Sequence, residues 1–215
     1  MTLDDVKYGN PTIEHLAMLE KETFVDALFP HISTFTFPKN SSDATISELN
    51  EIVECINLLS VKEEYINRYK FYDRALIKYF KDGLEKGDID MHEANALIDG
   101  VIADTLPLLI KLKYHFQRPR PFQLAEYYKL KLFPFKSYSA DSPSFPSGHS
   151  FQAKLLTEVI GNRYPSTYAF MKDVCNDINY SRLYMGLHYQ SDIDVGIFAA
   201  EQVLQMDEFK QKYKL

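Results

Sequence analysis

The chain of 215 residues contains no tryptophan and only two cysteines, Cys55 and Cys175. The two cysteines lie far apart in the sequence, without the short spacing that the cysteine ligands of a structural metal site show. A cysteine-based metal site is therefore not expected. The two thiols can be free and buried or joined in one disulfide, and the sequence leaves both possibilities open.

The chain also lacks an excess of basic residues and a long apolar segment. Its formal net charge of −6 argues against a broad surface for a nucleic-acid polymer. The nearest candidate for a membrane span, Ala96 to Ile110, is interrupted by Asp99 and Asp104, so no span is expected. The N-terminal sequence MTLDDVKYGNP has neither the basic nor the apolar region of a signal peptide. We therefore expect a soluble protein, cytoplasmic as the sequence stands and periplasmic if a leader has been removed.

The composition and the spacing of apolar residues indicate a helical globular protein. Apolar residues make up 46% and charged residues 25% of the sequence, which suits one domain spanning 1–215 with a substantial core. Apolar residues recur at the spacing of amphipathic helices, and no strong β-strand alternation is present. The predicted fold class is all-α, a single compact helical bundle.

The predicted helices follow start and stop signals along the chain. Ser60 and Asp90 each open a capping box that begins a helix, and Pro107 is expected to kink its helix unless neighbouring residues compensate. Prolines and aromatic residues indicate an arm at 29–40 and a loop with a short helix at 122–145. The predicted helices span residues 11–28, 41–59, 60–81, 91–116, 146–163, 165–185 and 191–206.

The stretch SRLYMGLHYQSD, from Ser181 to Asp192, contains three side chains that suit phosphoryl transfer. A neutral imidazole, His188, can act as a nucleophile, and the Asp192 carboxylate can fix its tautomer and steady positive charge. The planar guanidinium of Arg182 can hold two phosphate oxygens at once. This combination predicts an anion site at the stretch.

A basic helix end lies upstream of this stretch, in the sequence KLKYHFQRPRP that begins at Lys111. Lys113 and Arg120 are seven residues apart and can share one helix face, so both can reach one anion. Lys111 and Arg118 have the same spacing, and spacing alone does not separate the two pairs. Interaction of these cations with the helix dipole is the simpler alternative.

The third cluster is Pro146-Ser147-Gly148-His149, at the predicted start of a helix. The first turn of a helix presents backbone N–H groups that can bind phosphate oxygens. Ser147 adds a hydroxyl donor, and His149 can protonate a leaving oxygen as a general acid. The same residues also form ordinary helix starts, so this cluster alone is a weak signal.

Together the clusters form the pattern K-x6-R-P, P-S-G-H and S-R-x5-H-x3-D, which resembles the superfamily of type 2 phosphatidic acid phosphatases and vanadium haloperoxidases. The runs KYHFQRPRPF and HYQSDIDVG are most similar to the soluble bacterial class A non-specific acid phosphatases. This similarity favours the Lys113 and Arg120 register over the Lys111 and Arg118 register. The resemblance covers about residues 110–205. All specified positions are filled, by Lys113, Arg120, Pro121, Pro146, Ser147, Gly148, His149, Ser181, Arg182, His188 and Asp192.

The resemblance implies an acid phosphatase that hydrolyses small phosphate esters through a phosphohistidine, without a metal or cofactor. His188 would attack phosphorus, Asp192 would accept a hydrogen bond from its other ring nitrogen, and His149 would act as general acid and then as general base. The catalytic helical core would span 91–206, beside N-terminal helices and an arm at 1–90. Vanadate would act as a phosphate mimic. The phosphate would be bound by Lys113, Arg120, Ser147, Gly148 and Arg182.

The implied partners are small phosphate esters, nucleotides among them, and further copies of the chain in a homo-oligomer. Arg118 is expected to pair with an acidic residue rather than to bind phosphate. One alternative is a vanadium-dependent haloperoxidase, with His188 bound directly to vanadate, although chains of that subfamily are usually longer. A second alternative is a non-catalytic helical module that binds phosphate, which would be expected to have lost one of the catalytic positions.

Overall fold

The computed structural model describes residues 2–85 and 89–215, and in these ranges every regular element is helical. The predicted all-α fold class is confirmed. Short 3₁₀ segments occur at Leu3–Asp5, Phe24–Leu28 and Pro165–Thr167. The α-helices are α1 (Ile13–Glu20), α2 (Phe29–Ile32), α3 (Asp43–Ser60), α4 (Glu63–Leu84), α5 (Met91–Phe116), α6 (Pro121–Ala125), α7 (Gly148–Arg163), α8 (Tyr168–Tyr184), α9 (Gln190–Gln205) and α10 (Asp207–Tyr213).

Helix α7 lies at the centre of the bundle and packs against α8 and α9, and also against α5 and α4. Its buried residues are spread around the helix and include Phe151, Leu155, Leu156 and Val159. A helix that is apolar on most sides is stable only when neighbours surround it. The N-terminus of α7, where the PSGH sequence lies, is therefore enclosed by the ends of other helices.

Helix α5 has the predicted bounds, but it runs through Pro107 as one continuous helix. The Asp90 carboxylate caps it by accepting hydrogen bonds from the N–H groups of His92 and Glu93, at 2.9 and 3.2 Å. Pro107 and Leu108 are buried, and packing against the core keeps the helix continuous. Pro107 neither ends nor divides the helix. A kink lies instead in α4 at Ala75, where φ is −147° and ψ is 44°.

The N-terminal third of the chain differs most from the prediction. The helix predicted at 11–28 is divided into α1 and a 3₁₀ segment, and the predicted arm at 29–40 contains α2. Ser60 does not cap α4: it is the last residue of α3, and its hydroxyl donates to the Asn57 carbonyl at 2.7 Å. Serine hydroxyls bond readily to a carbonyl of the preceding turn, which explains why the predicted capping box is wrong.

Two glycines position the chain around the site. Gly186 has a φ of 74° and lies in the turn after α8, where a side chain would meet Ile56 and Pro134. A left-handed residue in this crowded turn has to be glycine. At Gly196 in α9, an added Cβ would lie 2.6 Å from the Ser147 carbonyl oxygen. The missing side chain therefore lets α9 approach the start of α7.

The described structure also decides the state of the cysteines. Cys55 is half-buried in α3 and Cys175 is buried in α8. Both are free thiols, so the disulfide that the sequence left open is not formed. Burial is the largest cause that raises the pKa of each thiol, which makes both poor nucleophiles.

Candidate active site

The fold brings the three sequence clusters together at the meeting point of four helix ends. Lys113 is near the C-terminus of α5, and Arg120 immediately precedes α6. Arg182 is in the last turn of α8, and His188 lies between α8 and α9. All four side chains are buried, with relative exposures of 1–4%. Segments that are distant in sequence therefore share one enclosed cationic cluster.

His188 is held by a hydrogen bond at each ring nitrogen. Its Nε2 lies 2.9 Å from Nη1 of Arg120, and its Nδ1 lies 3.2 Å from Oδ2 of Asp192. A guanidinium can only donate hydrogen bonds, so Nε2 carries the lone pair and Nδ1 carries the proton. The Asp192 carboxylate thus fixes the tautomer that places the lone pair on Nε2, the nitrogen that faces the cationic cluster.

The cations around His188 are each engaged by protein acceptors. Nε of Arg120 donates to the Ser142 carbonyl at 2.9 Å, and Nη1 donates to the Leu187 carbonyl at 3.0 Å. Nζ of Lys113 donates to the Pro143 carbonyl at 2.7 Å. Carbonyls are neutral acceptors, and charge-assisted bonds to phosphate oxygens are stronger. An anionic phosphoryl group can therefore take over these donors.

Asp192 is fixed by the first arginine of the RPRP sequence, Arg118, which was expected from the sequence to pair with an acidic residue. Nη1 of Arg118 donates to Oδ1 of Asp192 at 2.7 Å, and Nη2 donates to Oε2 of Glu48 at 3.0 Å. The guanidinium carbon lies 3.8 Å from the centroid of the Tyr189 ring. Arg118 therefore faces away from the cationic cluster and orients the carboxylate that orients His188.

The start of α7 contributes backbone donors to the same place. Ser147 caps the helix: its hydroxyl accepts from the Ser150 N–H, and its own N–H donates to the Asp192 carbonyl at 2.8 Å. The N–H groups of Gly148 and His149 lie in the first helical turn, where no intrahelical carbonyl reaches them. A Cβ added at Gly148 would be 3.5 Å from Cε of Lys113. The helix start and the lysine side chain are therefore neighbours.

Asp73, in α4, is a site residue that the sequence analysis missed. It is 3% exposed, and its Oδ1 accepts a hydrogen bond from Nη1 of Arg182 at 3.0 Å. Burial by itself would raise the pKa of the Asp73 carboxyl, but Arg182 and hydrogen bonds from the 137–139 loop lower it to about 2. The available signal was an acidic residue at helical spacing with the apolar residues Tyr69 and Leu76.

Both site histidines are held neutral in the ligand-free protein. Burial, followed by the charge of Arg182, lowers the pKa of His149 to about 3, against the opposing effect of Asp73. Burial, followed by the charges of Arg120 and Lys113, lowers the pKa of His188 well below its ordinary value. A bound dianion would offset these positive charges and favour protonation.

We expect the free energy of unfolding of the ligand-free protein to fall as the pH is lowered from about 6.5. The unfolded chain takes up protons on His149 and His188 below this pH while the folded chain does not, so acid favours unfolding. Each histidine contributes a slope of up to about 1.4 kcal/mol per pH unit. Urea unfolding at about pH 7 and about pH 5 measures the decline. His149→Gln should make it shallower, and the exposed-site control His31→Gln should not; equal declines in all three proteins would contradict the prediction.

The donor groups of the site suit an anion rather than a metal ion. In ranges 2–85 and 89–215, no group of three or more histidine, cysteine, aspartate or glutamate side chains is arranged to hold a metal ion. The donor set of the cluster is instead rich in cationic and N–H groups, which suits an anion.

Two comparisons found known proteins to which this chain is similar. A family model described as "PAP2 superfamily" matches residues 96–204, which is just over half of the chain. A solved structure of the first transmembrane PAP2-type phosphatidylglycerolphosphate phosphatase, from Bacillus subtilis, is similar at 17% sequence identity and a TM-score of 0.49. That match covers 87% of this chain and 94% of the other. No curated protein sequence matches the chain.

These comparisons correct the expected location of the protein, and they support the superfamily but not the expected subgroup within it. The expected soluble, cytoplasmic location is contradicted, because a structurally similar protein of this type is a transmembrane protein. Within residues 2–85 and 89–215, none of the helices combines the length and the apolar character that a bilayer crossing requires. The family match names the superfamily as a whole, so the finer similarity to class A acid phosphatases is not established by it.

Proposed function

This chain belongs to the PAP2 superfamily and is a phosphatase-type hydrolase; from that premise we propose that it is a phosphomonoesterase that forms a phosphohistidine on His188. The observation that carries the proposal is the environment of that histidine. Its Nε2 lone pair accepts from Arg120, while its Nδ1 proton is held by Asp192. A nucleophile oriented by a carboxylate and surrounded by buried cations suits attack on a phosphate ester.

In the first step, Nε2 of His188 attacks phosphorus and the bond between phosphorus and the ester oxygen breaks. Lys113 and Arg120 exchange their present acceptors for the equatorial phosphate oxygens, and Nη2 of Arg182 and N–H groups at the start of α7 donate to the same oxygens. These donors neutralise the charge of the transferring group, where most of the catalysis of phosphoryl transfer arises. The proton on Nδ1 stays on the side of Asp192, which stabilises the positive charge that develops on the ring.

His149 supplies the proton that the leaving oxygen needs. In the ligand-free protein its pKa is lowered to about 3, and the arrival of the dianionic substrate raises it so that the ring can be protonated. In the second step, a water molecule gives a proton to His149 and attacks phosphorus. The bond between phosphorus and Nε2 then breaks, releasing phosphate and restoring His188. No step requires a metal ion, and opposite protonation states of the two histidines favour mildly acidic conditions.

The test is a substrate panel measured by phosphate release in the presence of a chelator. The panel contains p-nitrophenyl phosphate, nucleoside monophosphates, sugar phosphates, diphosphates and detergent-dispersed lipid phosphates. We expect hydrolysis of small monoesters, inhibition by orthovanadate and no loss of activity with chelator. Halide oxidation with added vanadate and peroxide is measured in parallel. Halide oxidation without ester hydrolysis, or activity that vanishes with chelator, would contradict the proposal.

A further inference from the structure

We propose that Asp73 is a positioning residue for the reaction proposed above, holding Arg182 in place and joining it to the loop at 137–139. The inference rests on the proposed function of the same site. Asp73 lies in α4, outside the chain segments that carry the sequence motifs, and the steps described above do not use it. The contacts that support its role are those of its carboxylate.

The carboxylate of Asp73 makes four hydrogen bonds in a buried setting. Oδ1 accepts from Nη1 of Arg182 at 3.0 Å and from the hydroxyls of Ser137 and Ser139 at 2.8 and 2.6 Å. Oδ2 accepts from the Tyr138 N–H at 2.7 Å. A buried carboxylate with this many donors is rigidly held and stays ionised. Asp73 therefore fixes Arg182 and the loop relative to each other.

The bond to Asp73 leaves part of the Arg182 guanidinium available for substrate. Nη1 is committed to Asp73 and Nε donates to the Ser181 hydroxyl at 3.0 Å. Nη2 lies 3.6 Å from the thioether sulfur of Met185, which is a weak acceptor. A phosphate oxygen can replace that contact while the other two bonds keep the guanidinium plane fixed. Pre-orientation of this kind reduces the cost of assembling the transition state.

Asp73 also reaches the proposed general acid. The charge of its carboxylate raises the pKa of the His149 ring and so favours the protonated form. The charge of Arg182, from α8, opposes that protonation. The Asp73 carboxylate thus offsets the neighbouring guanidinium at the group that must carry a proton.

The loop also connects Asp73 to Lys113 and Arg120. The chain that follows Ser139 provides the Ser142 and Pro143 carbonyls, which accept from Arg120 and Lys113 at 2.9 and 2.7 Å. The loop is therefore attached to Asp73 at one end and to two phosphate-binding cations at the other. A change in the Asp73 carboxylate should therefore alter the positions of all three cations rather than that of Arg182 alone.

The test replaces Asp73 by asparagine, which keeps the size of the side chain and removes its charge. We expect kcat for p-nitrophenyl phosphate to fall about 100-fold, with a smaller rise in KM, because misplaced groups cost mainly transition-state stabilisation. We also expect the alkaline limb of the kcat profile to move about one unit to lower pH, since His149 loses the carboxylate that favours its protonation. A purely structural role for Asp73 would not move that limb.

The chain offers a matched control at Asp177. This carboxylate also joins α4 to α8, accepting from Tyr72 at 2.8 Å and pairing with Arg68 at 3.0 Å, without contact to the phosphate cations. Asp177→Asn should lower the melting temperature while leaving kcat and the pH profile at parental values. The proposal is overturned if Asp73→Asn resembles Asp177→Asn in both activity and pH profile.

Two further measurements keep the test decisive. The rise in melting temperature caused by orthovanadate is compared in the parent and in Asp73→Asn, and it should be clearly smaller in the variant because Arg182 is no longer oriented. This comparison holds even if the parent hydrolyses none of the esters, an outcome that would refute the proposed function separately. If Asp73→Asn does not fold, Asp73→Glu replaces it: we expect a kcat reduced at least tenfold with the alkaline limb at its parental pH. Parental kcat in Asp73→Glu would overturn the proposal.

Discussion

Replacing His188 by alanine is expected to reduce kcat by at least about 10³-fold. The variant loses Nε2, the only atom that we place in line for attack. The cations that remain can polarise a phosphate ester, but they cannot form a bond to phosphorus. With radiolabelled substrate and rapid quenching, the parent should carry an acid-labile phosphoryl label on the protein. The variant should carry none. Phosphate release and protein labelling are both measured, so that loss of the first step is separated from loss of the second.

The matched control is His92→Ala, at an exposed histidine in the first turn of α5. It should keep parental turnover and labelling. His149→Ala provides a second comparison: it should still be labelled when the substrate has a good leaving group such as p-nitrophenolate, which needs little protonation, and the labelled form should persist because the general base is missing. Full turnover in His188→Ala would refute the nucleophile assignment and reopen the non-catalytic alternative.

Replacing Arg118 by methionine is expected to lower the free energy of unfolding by about 3–5 kcal/mol. Arg118 is 1% exposed and bonds to the carboxylates of Asp192 and Glu48 at 2.7 and 3.0 Å. Without the guanidinium, two carboxylates remain close together in a buried region with no compensating charge. Methionine fills similar space beside Tyr189, so the loss should come from charge rather than from a cavity. Urea unfolding at neutral pH measures the change.

The control for this prediction is Arg163→Met, which breaks the exposed ion pair with Glu93. Exposed pairs contribute at most about 1 kcal/mol, so the two variants should differ severalfold. Arg118→Lys should fall between them, because an ammonium retains the charge but not the fork that reaches Asp192 and Glu48 together. A loss below about 1 kcal/mol in Arg118→Met would show that the buried pair is replaceable.

Sequence reasoning predicted the long helices better than the short ones. The bounds of α5 were predicted to the residue, because Asp90 caps its start. The RPRP sequence ends the helix, since residues that precede a proline avoid the helical region. The start of α4 was predicted wrongly, because a hydroxyl group such as that of Ser60 can bond to either of two neighbouring helices. The single helix predicted at 11–28 was also wrong. The break in α4 at Ala75 is not marked by a proline or glycine in the sequence. It lies where α4 packs around the site.

The chemical groups of the site were evident in the sequence because each motif has its own local signature. Arg182 lies at the end of one helix, His188 in the turn that follows, and Asp192 at the start of the next helix. Their spacing in the sequence is short enough to bring them close together without knowledge of the fold. The partners of Arg118 and Arg182 were not evident in this way. Glu48 and Asp73 are each separated from their arginine by more than sixty residues, and no spacing rule connects them.

The sequence by itself determined which side chains are candidates to bind and attack a phosphate and that they lie in helices or at helix ends, because helix periodicity and local motifs depend on neighbours along the chain. Only the tertiary structure decided how those side chains are held: which carboxylate faces each arginine, which nitrogen of His188 carries its proton, and how Asp73 joins α4 to α8. Such contacts depend on the packing of α4, α7 and α8, whose geometry is set by the whole core rather than by any single segment.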